Sequence, residues 1–200
     1  MISVIVAEDQ EMLRQAMVKL MHLNEEVEVV GDVANGKDAL NMIKDLQPNV
    51  AIVDVEMPQM TGLELLKIVK QTHLPTKMII VTTFKRPGYF ETAVANDVDA
   101  YVLKESSIDE LVETIKQVME GKRIYSESLM TSILRDKNPL TDKEQIVLKE
   151  IGKGQSSKEI SKTLFLSDGT VRNYTSTIMD KLEANNRFEA WQKAKDKGWI

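Results

Sequence analysis

Along residues 1–120, short unbroken apolar runs alternate with stretches in which apolar residues recur every three or four positions. An unbroken run such as Val50–Val53 suits a strand covered on both faces of a parallel sheet, and the wider spacing marks a helix with one buried stripe. The pattern predicts strands at Ser3–Ala7, Val27–Val30, Val50–Val53, Met78–Val81 and Ala100–Leu103. Between them it predicts helices over Glu11–His22, Gly36–Leu46 and Gly62–Gln71, and a short helix within Gly88–Asn96. A fifth helix opens at Ser107, where Ser107-Ile108-Asp109-Glu110 has the form of a capping box. Regular alternation of strand and helix implies an α/β domain, a parallel sheet wound on both sides, because right-handed crossovers lay helices on both faces.

From Gly121 the pattern loosens. Residues 121–138 mix Lys, Arg, Ser and scattered apolar residues before Pro139, and read as a linker with a helical piece through Leu129–Leu134. Residues 139–200 carry helical spacing only. Thr141-Asp142-Lys143-Glu144 and Ser156-Ser157-Lys158-Glu159 are two more capping boxes, and Gly154 closes the helix between them. Phe165–Gly169 makes a turn, Thr170–Leu182 a third helix and Arg187–Lys197 a fourth. A short helix, a tight turn and a longer helix form a helix-turn-helix candidate.

Composition narrows the class. Hydrophobic residues make up 42% and charged residues 28%, enough apolar content for a packed core. The absence of cysteine removes disulfides, thiolate nucleophiles and cysteine-type zinc sites. Met1–Asp9 reaches acids too early for a signal peptide, and no apolar run approaches the ~18–20 residues that span a bilayer, so a cytoplasmic chain without membrane insertion is expected. The net charge of −5 is uneven: residues 1–138 hold 15 Lys and Arg against 22 Asp and Glu, and residues 139–200 hold 11 against 9. The two parts are therefore suited to different partners.

Several strands end in chemistry. Asp54 follows the third strand, and ligands in open α/β sheets gather beyond the carboxyl ends of strands. Winding the sheet brings the ends of the first and third strands together, so Glu8, Asp9 and Asp54 share a pocket. Three carboxylates repel one another unless a cation joins them, and all-oxygen ligation suits Mg²⁺. Thr82 adds a hydroxyl at the end of the fourth strand, and Lys104 a positive charge at the end of the fifth. Carboxylate nucleophile, metal, hydroxyl and lysine together describe a phosphoryl-accepting site.

Over residues 1–120 the chain resembles the response-regulator receiver domain. Glu8 and Asp9 match the family's paired acids, Asp54 its phosphorylated aspartate, Met57-Pro58 and Gly62 the loop that follows, Thr82 and Tyr101 its switch residues and Lys104 its lysine. The resemblance implies a flavodoxin-like sheet of five strands in the order 2-1-3-4-5. It also implies Mg²⁺ held by Asp9, Asp54 and the backbone carbonyl of Glu56, with Glu8 acting largely through water. Asn96-Asp97 and Ala100 stand where the family often has glycines, and Asn and Asp tolerate left-handed geometry better than most residues. Glu105 replaces a common proline after Lys104, which predicts a trans peptide or local strain there.

On Thr170–Leu182, Val171, Tyr174, Ile178 and Leu182 share one face, while Arg172, Asn173, Ser176, Thr177 and Asp180 share the other. The second face offers groups suited to base edges and phosphates. Ser167 as N-cap is expected to leave the amides of Gly169 and Thr170 open to a phosphate. Residues 139–200 resemble a LuxR-type DNA-binding domain, as in NarL/FixJ-class response regulators, through Leu140–Glu144, Val147-Leu148, Gly154, Lys158-Glu159-Ile160, Thr170-Val171-Arg172 and Lys181-Leu182. By position the resemblance makes Arg172, Asn173 and Ser176 groove-facing, and Thr170 and Lys181 phosphate contacts. Thr82–Phe90 and Thr170–Tyr174 further resemble a Gram-positive subgroup containing the membrane-fluidity regulator of a fatty-acid desaturase.

The implied function is a transcriptional response regulator rather than an enzyme. A sensor histidine kinase phosphorylates Asp54, favouring a homodimer that binds inverted or direct repeat half-sites in double-stranded DNA. The rival class is a Mg²⁺-dependent phosphatase with an aspartate nucleophile, which needs the same strand-end Asp, Thr and Lys. In that class the nucleophile follows the first strand and a second Asp stands two residues later, where this chain has Glu56.

Overall fold

A computed structural model describes residues 1–83, 86–126, 130 and 137–200. The chain divides into two compact units, the first built on a sheet and the second on helices.

Six parallel strands make the sheet: β1 Ile2–Ala7, β2 Val27–Val33, β3 Val50–Val53, β4 Lys77–Thr82, β5 Ala100–Leu103 and β6 Ile124–Tyr125. Their order is β2-β1-β3-β4-β5-β6, the expected five extended by one. β6 lies in the stretch read as the start of the linker; Ile124 pairs with Ala100 and Tyr125 with Tyr101. Two residues are too few to display a strand period, which is why the sequence pattern did not reveal it. The helical piece expected through Leu129–Leu134 falls outside the described residues apart from Met130. β2 runs past Val30 to Val33 with every second residue facing outward, as an edge strand allows, and there Gly31 and Asp32 are tolerated.

Five helices cover the sheet: α1 Glu11–Met21, α2 Gly36–Leu46, α3 Gly62–Gln71, α4 Pro87–Ala95 and α5 Ile108–Met119. Val4, Val6, Val50, Ile52, Ile79, Val81 and Val102 pack on one side with Met17 and Met21 of α1 and Leu111, Ile115 and Val118 of α5. Alternate residues such as Ile5, Ile80 and Tyr101 turn to the other side by strand periodicity. The predicted capping box at Ser107 is formed, and Thr61 and Glu64 form another at the start of α3. Asp97 takes φ +57°, the left-handed geometry expected of the glycine-like position, and no peptide bond among the described residues is cis.

The second unit holds α6 Asp142–Gly152, α7 Ser157–Thr163, α8 Asp168–Lys181 and α9 Arg187–Asp196. Leu140, Val147, Leu148, Ile151, Ile160, Val171, Ile178, Leu182, Ala190 and Ala194 form its core. Both predicted capping boxes are present, at Thr141 and Ser156. Gly152 has a steric reason: a Cβ there would run into the Trp191 indole.

Candidate functional site

Strand register builds the first site. Ala7 pairs with Val53, and the Asp54 amide donates to the Ala7 carbonyl at 2.9 Å, so Glu8 and Asp54 leave the sheet side by side. Thr82 pairs with Leu103, and the Lys104 amide donates to the Thr82 carbonyl at 3.0 Å. Asp54, Thr82, Lys104, Glu8 and Asp9 thus all stand at carboxyl ends of strands, as expected. Gly62 lies against the Asp54 backbone, where a Cβ would meet the carbonyl oxygen, and its amide donates to Val55 at 2.9 Å. That close approach seats the loop beneath the acid.

Lys104 Nζ stands between two acids, 2.5 Å from Glu8 Oε2 and 3.2 Å from Asp54 Oδ2, with all three side chains buried. The Val55 amide donates to Asp54 Oδ1 at 2.7 Å. Burial nevertheless pushes the Asp54 carboxyl up to about 6; Lys104 pulls it down, Glu8 raises it further and the Val55 amide lowers it. The site is short of positive charge even with the lysine in place. One carboxylate oxygen each from Glu8, Asp9 and Asp54 lie within 4.8 Å of one another. Three hard oxygen donors around an electron-rich, partly buried pocket fit a divalent cation.

Tyr101 is fully buried, and its hydroxyl has no hydrogen-bond partner among the described residues. Burial pushes its phenol above the usual range, with the Asp54 charge and Tyr89 adding to the shift. Three groups around the pocket were missed in the sequence. Arg14 donates to the Glu8 carbonyl at 2.7 Å and to Asp32 Oδ2 at 2.8 Å, tying the acidic loop to β2. Tyr89 donates to Glu56 Oε1 at 2.9 Å, linking α4 to the loop after Asp54. Phe90 meets Tyr101 edge-on at 5.1 Å. The charge of Arg14 and the aromatic pair Tyr89-Phe90 were visible signals, but spacing within a helix does not say which loop a side chain reaches.

The second site is the outer face of α8. Val171 and Ile178 are fully buried and Tyr174 and Leu182 pack with the core, while Arg172, Asn173 and Ser176 are exposed. One expectation is corrected. Ser167 is the N-cap, but its Oγ accepts the Thr170 amide at 3.0 Å and lies 2.8 Å from the Thr170 hydroxyl. The Thr170 amide is therefore engaged, and of the two only the exposed Gly169 remains outside the cap. Lys181, expected on phosphate, bonds to the buried Glu144 at 2.8 Å. Asp168, which the sequence reading passed over, pairs with Arg172 at 2.8 Å.

A sheet with an acid–lysine pocket at its carboxyl ends, followed by a helix-turn-helix unit, defines a class of regulator, and the comparisons give the same class. The family described as response regulator receiver domain matches residues 4–116, and the family described as bacterial regulatory proteins, luxR family, matches residues 138–194. The chain belongs to the response regulators with a LuxR-type DNA-binding domain, and it is a transcriptional regulator. Among individual relatives, transcriptional regulatory protein DesR of Bacillus subtilis is 48% identical over 200 residues, covering 100% of both chains. The uncharacterized transcriptional regulatory protein YvfU of the same organism is 45% identical, again over 100% of both. A LuxR-family DNA-binding response regulator from Staphylococcus aureus, solved by crystallography, is 61% identical over 60% of this chain and 99% of its own, with a TM-score of 0.58. RcsB of Salmonella enterica serovar Typhimurium, bound to a promoter with a phosphomimetic, covers 98% of both chains at 25% identity and a TM-score of 0.71. The phosphatase alternative finds no support: these relatives are regulators. No helix of the described residues is long and apolar enough to cross a membrane.

Proposed function

We propose that Asp54 accepts a phosphoryl group from a phosphohistidine on a sensor kinase, and that this modification controls DNA binding by the second unit. The observation that carries the reading is the buried Lys104 ammonium between Glu8 and Asp54. An Asp54 oxygen forms a bond to phosphorus as the P–N bond to the donor imidazole breaks, and the imidazole leaves with the electron pair. Lys104 faces the charge that gathers on the phosphoryl oxygens. Asp9, Asp54 and the Glu56 carbonyl would hold Mg²⁺, with Glu8 acting largely through water; the cation would supply charge neutralisation at the phosphoryl oxygens.

Thr82 and Tyr101 are the switch residues in this reading, the buried Tyr101 hydroxyl being the group whose surroundings change with the modification. A homodimer then sets two α8 helices on repeated half-sites of duplex DNA. Ser167, Gly169, Arg172, Asn173 and Ser176 form the DNA-facing set; Thr170 contributes through the cap, and Lys181 through Glu144. The receiver comprises residues 1–120 together with the added β6, the linker runs on to residue 138, residues 139–200 bind DNA, and the protein works in the cytoplasm.

Wild type and Asp54→Ala treated with acetyl phosphate or beryllofluoride plus Mg²⁺ provide the test, followed by mass and by sedimentation. Wild type gains the phosphoryl mass with acetyl phosphate and dimerises with either reagent, and the variant does neither. A wild type that is modified without changing its assembly sinks the dimerisation step, and one that takes no phosphoryl group sinks the whole reading.

A further inference from the structure

We propose that Asp168 is a positioning residue for DNA reading: it holds the Arg172 guanidinium so that Arg172 reads a guanine, and the pair sets base preference at one position of the half-site. This inference rests on the reading of α8 as the recognition helix.

Asp168 is the first residue of α8, directly after the Ser167 N-cap, and Arg172 stands one turn later. Arg172 Nη2 lies 2.8 Å from Asp168 Oδ2, and the arginine side chain is 67% exposed. α8 carries two cations, Arg172 and Lys181, and Lys181 is committed to Glu144. Arg172 is thus the cation that this helix presents outward.

Stability does not account for the pair. An ion pair one turn apart on a helix, with its arginine toward solvent, contributes little, and among the described residues Asp168 Oδ1 is buried without a hydrogen-bond partner, an unfavourable state for a carboxylate oxygen. Helix-dipole attraction favours an acid in the first turn. On a surface that meets phosphates, however, the same acid repels the ligand, and release of counterions rewards positive charge there. An acid that opposes non-specific binding is explained if it improves discrimination. Arginine has five donors in a planar fork, so contact through Nη2 leaves donors for the O6 and N7 acceptors of guanine. A guanidinium already held in one orientation loses less freedom on docking than one that must be ordered by the DNA.

The test uses the full chain, treated with acetyl phosphate and Mg²⁺, on a randomised duplex library and on one random-sequence duplex. Wild type enriches a guanine that Arg172→Ala no longer selects. Asp168→Asn binds the random duplex at least as tightly as wild type, having lost a negative charge, yet its preference for that guanine falls by about fivefold or more. Asp168→Glu recovers most of the preference. A role confined to the helix dipole lowers thermal stability and leaves the selected base unchanged. Should Asp168→Asn lose helix content, Asp168→Ser carries the same readout. Undiminished guanine preference in the Asp168 variants overturns the proposal while leaving α8 as the reading helix. If Arg172→Ala, Asn173→Ala and Ser176→Ala all leave the selected sequence unchanged, or wild type selects none, the reading of α8 fails and the proposal with it.

Discussion

In the pocket at the ends of β1, β3 and β5, Lys104, Glu8 and Asp54 are buried together and each depends on the other two. On α8 the ion pair of Asp168 with Arg172 is only partly buried, the arginine 67% and the acid 33% exposed, so losing the arginine leaves the acid in contact with water. On the proposed function, buried groups therefore report on folding and on metal and phosphoryl chemistry at once, while the exposed groups of α8 report chiefly on DNA. The first prediction separates the two. Lys104→Met in metal-free buffer loses about 3 kcal/mol of stability or more, because it leaves two acids buried without their cation. Arg172→Met changes stability by no more than about 0.5 kcal/mol. Denaturant unfolding of both variants checks this, and equal losses would break the contrast.

Acid–base behaviour sharpens it. Asp54 binds its proton more tightly in the folded chain, with its pKa raised from 3.8 to about 6. Its stabilising contribution is thus complete below about pH 4 and is lost as pH rises through 6, a change of about 2–3 kcal/mol for the metal-free chain. Asp99 runs the other way. Burial raises its pKa, but hydrogen bonds from Lys70 and the Met78 amide and the charges of Lys70 and Lys77 lower it further, for a net fall below 3.8. Its contribution is present above that value and disappears as pH falls through the lowered pKa. Unfolding measured across pH in a chelator should lose its neutral-side decline in Asp54→Asn and its acid-side decline in Asp99→Asn. Cation affinity in the wild type should rise through pH 6, as Asp54 ionises.

Two glycines offer a steric version of the comparison. Gly62→Ala drives a methyl against the Asp54 carbonyl, and Gly152→Ala drives one against the Trp191 indole. Each costs about 1–3 kcal/mol by overpacking. Only Gly62→Ala also weakens cation binding, since it displaces the backbone that carries Asp54. A calorimetric titration with Mg²⁺ that finds the two variants alike would remove Gly62 from the site.

The pocket was more legible in the sequence than the DNA-facing surface, and the reason is geometric. Asp54, Thr82 and Lys104 each end a buried apolar run, so the sheet itself brings them together once the strands are counted. The partners of Arg14 and Tyr89 depend on which loop a long side chain reaches across the fold, and apolar periodicity holds no record of that. On α8 the same limit applies in a local form. Periodicity separated the buried Val171 and Ile178 from the exposed Arg172, Asn173 and Ser176. It did not show that the Thr170 amide is taken by Ser167, or that Lys181 turns inward to Glu144. β6 escaped because two residues have no period.

Lys181 supplies the finest test of where the two kinds of charge divide. It sits at the end of α8, the helix proposed to read DNA, yet bonds to a glutamate that is 4% exposed. Burial raises the Glu144 carboxyl, while the Lys181 hydrogen bond, the Thr141 amide and hydroxyl and the Lys181 charge lower it further, leaving it below its usual range. A lysine committed in this way orders α8 against α6 instead of neutralising a phosphate. Lys181→Met should therefore lower the stability of the helical unit by about 1 kcal/mol and leave the salt dependence of DNA binding nearly unchanged. A phosphate contact would instead reduce the slope of log affinity against log salt by about 0.9. A loss of that size would move Lys181 onto the DNA surface and show that Glu144 releases it when the duplex arrives.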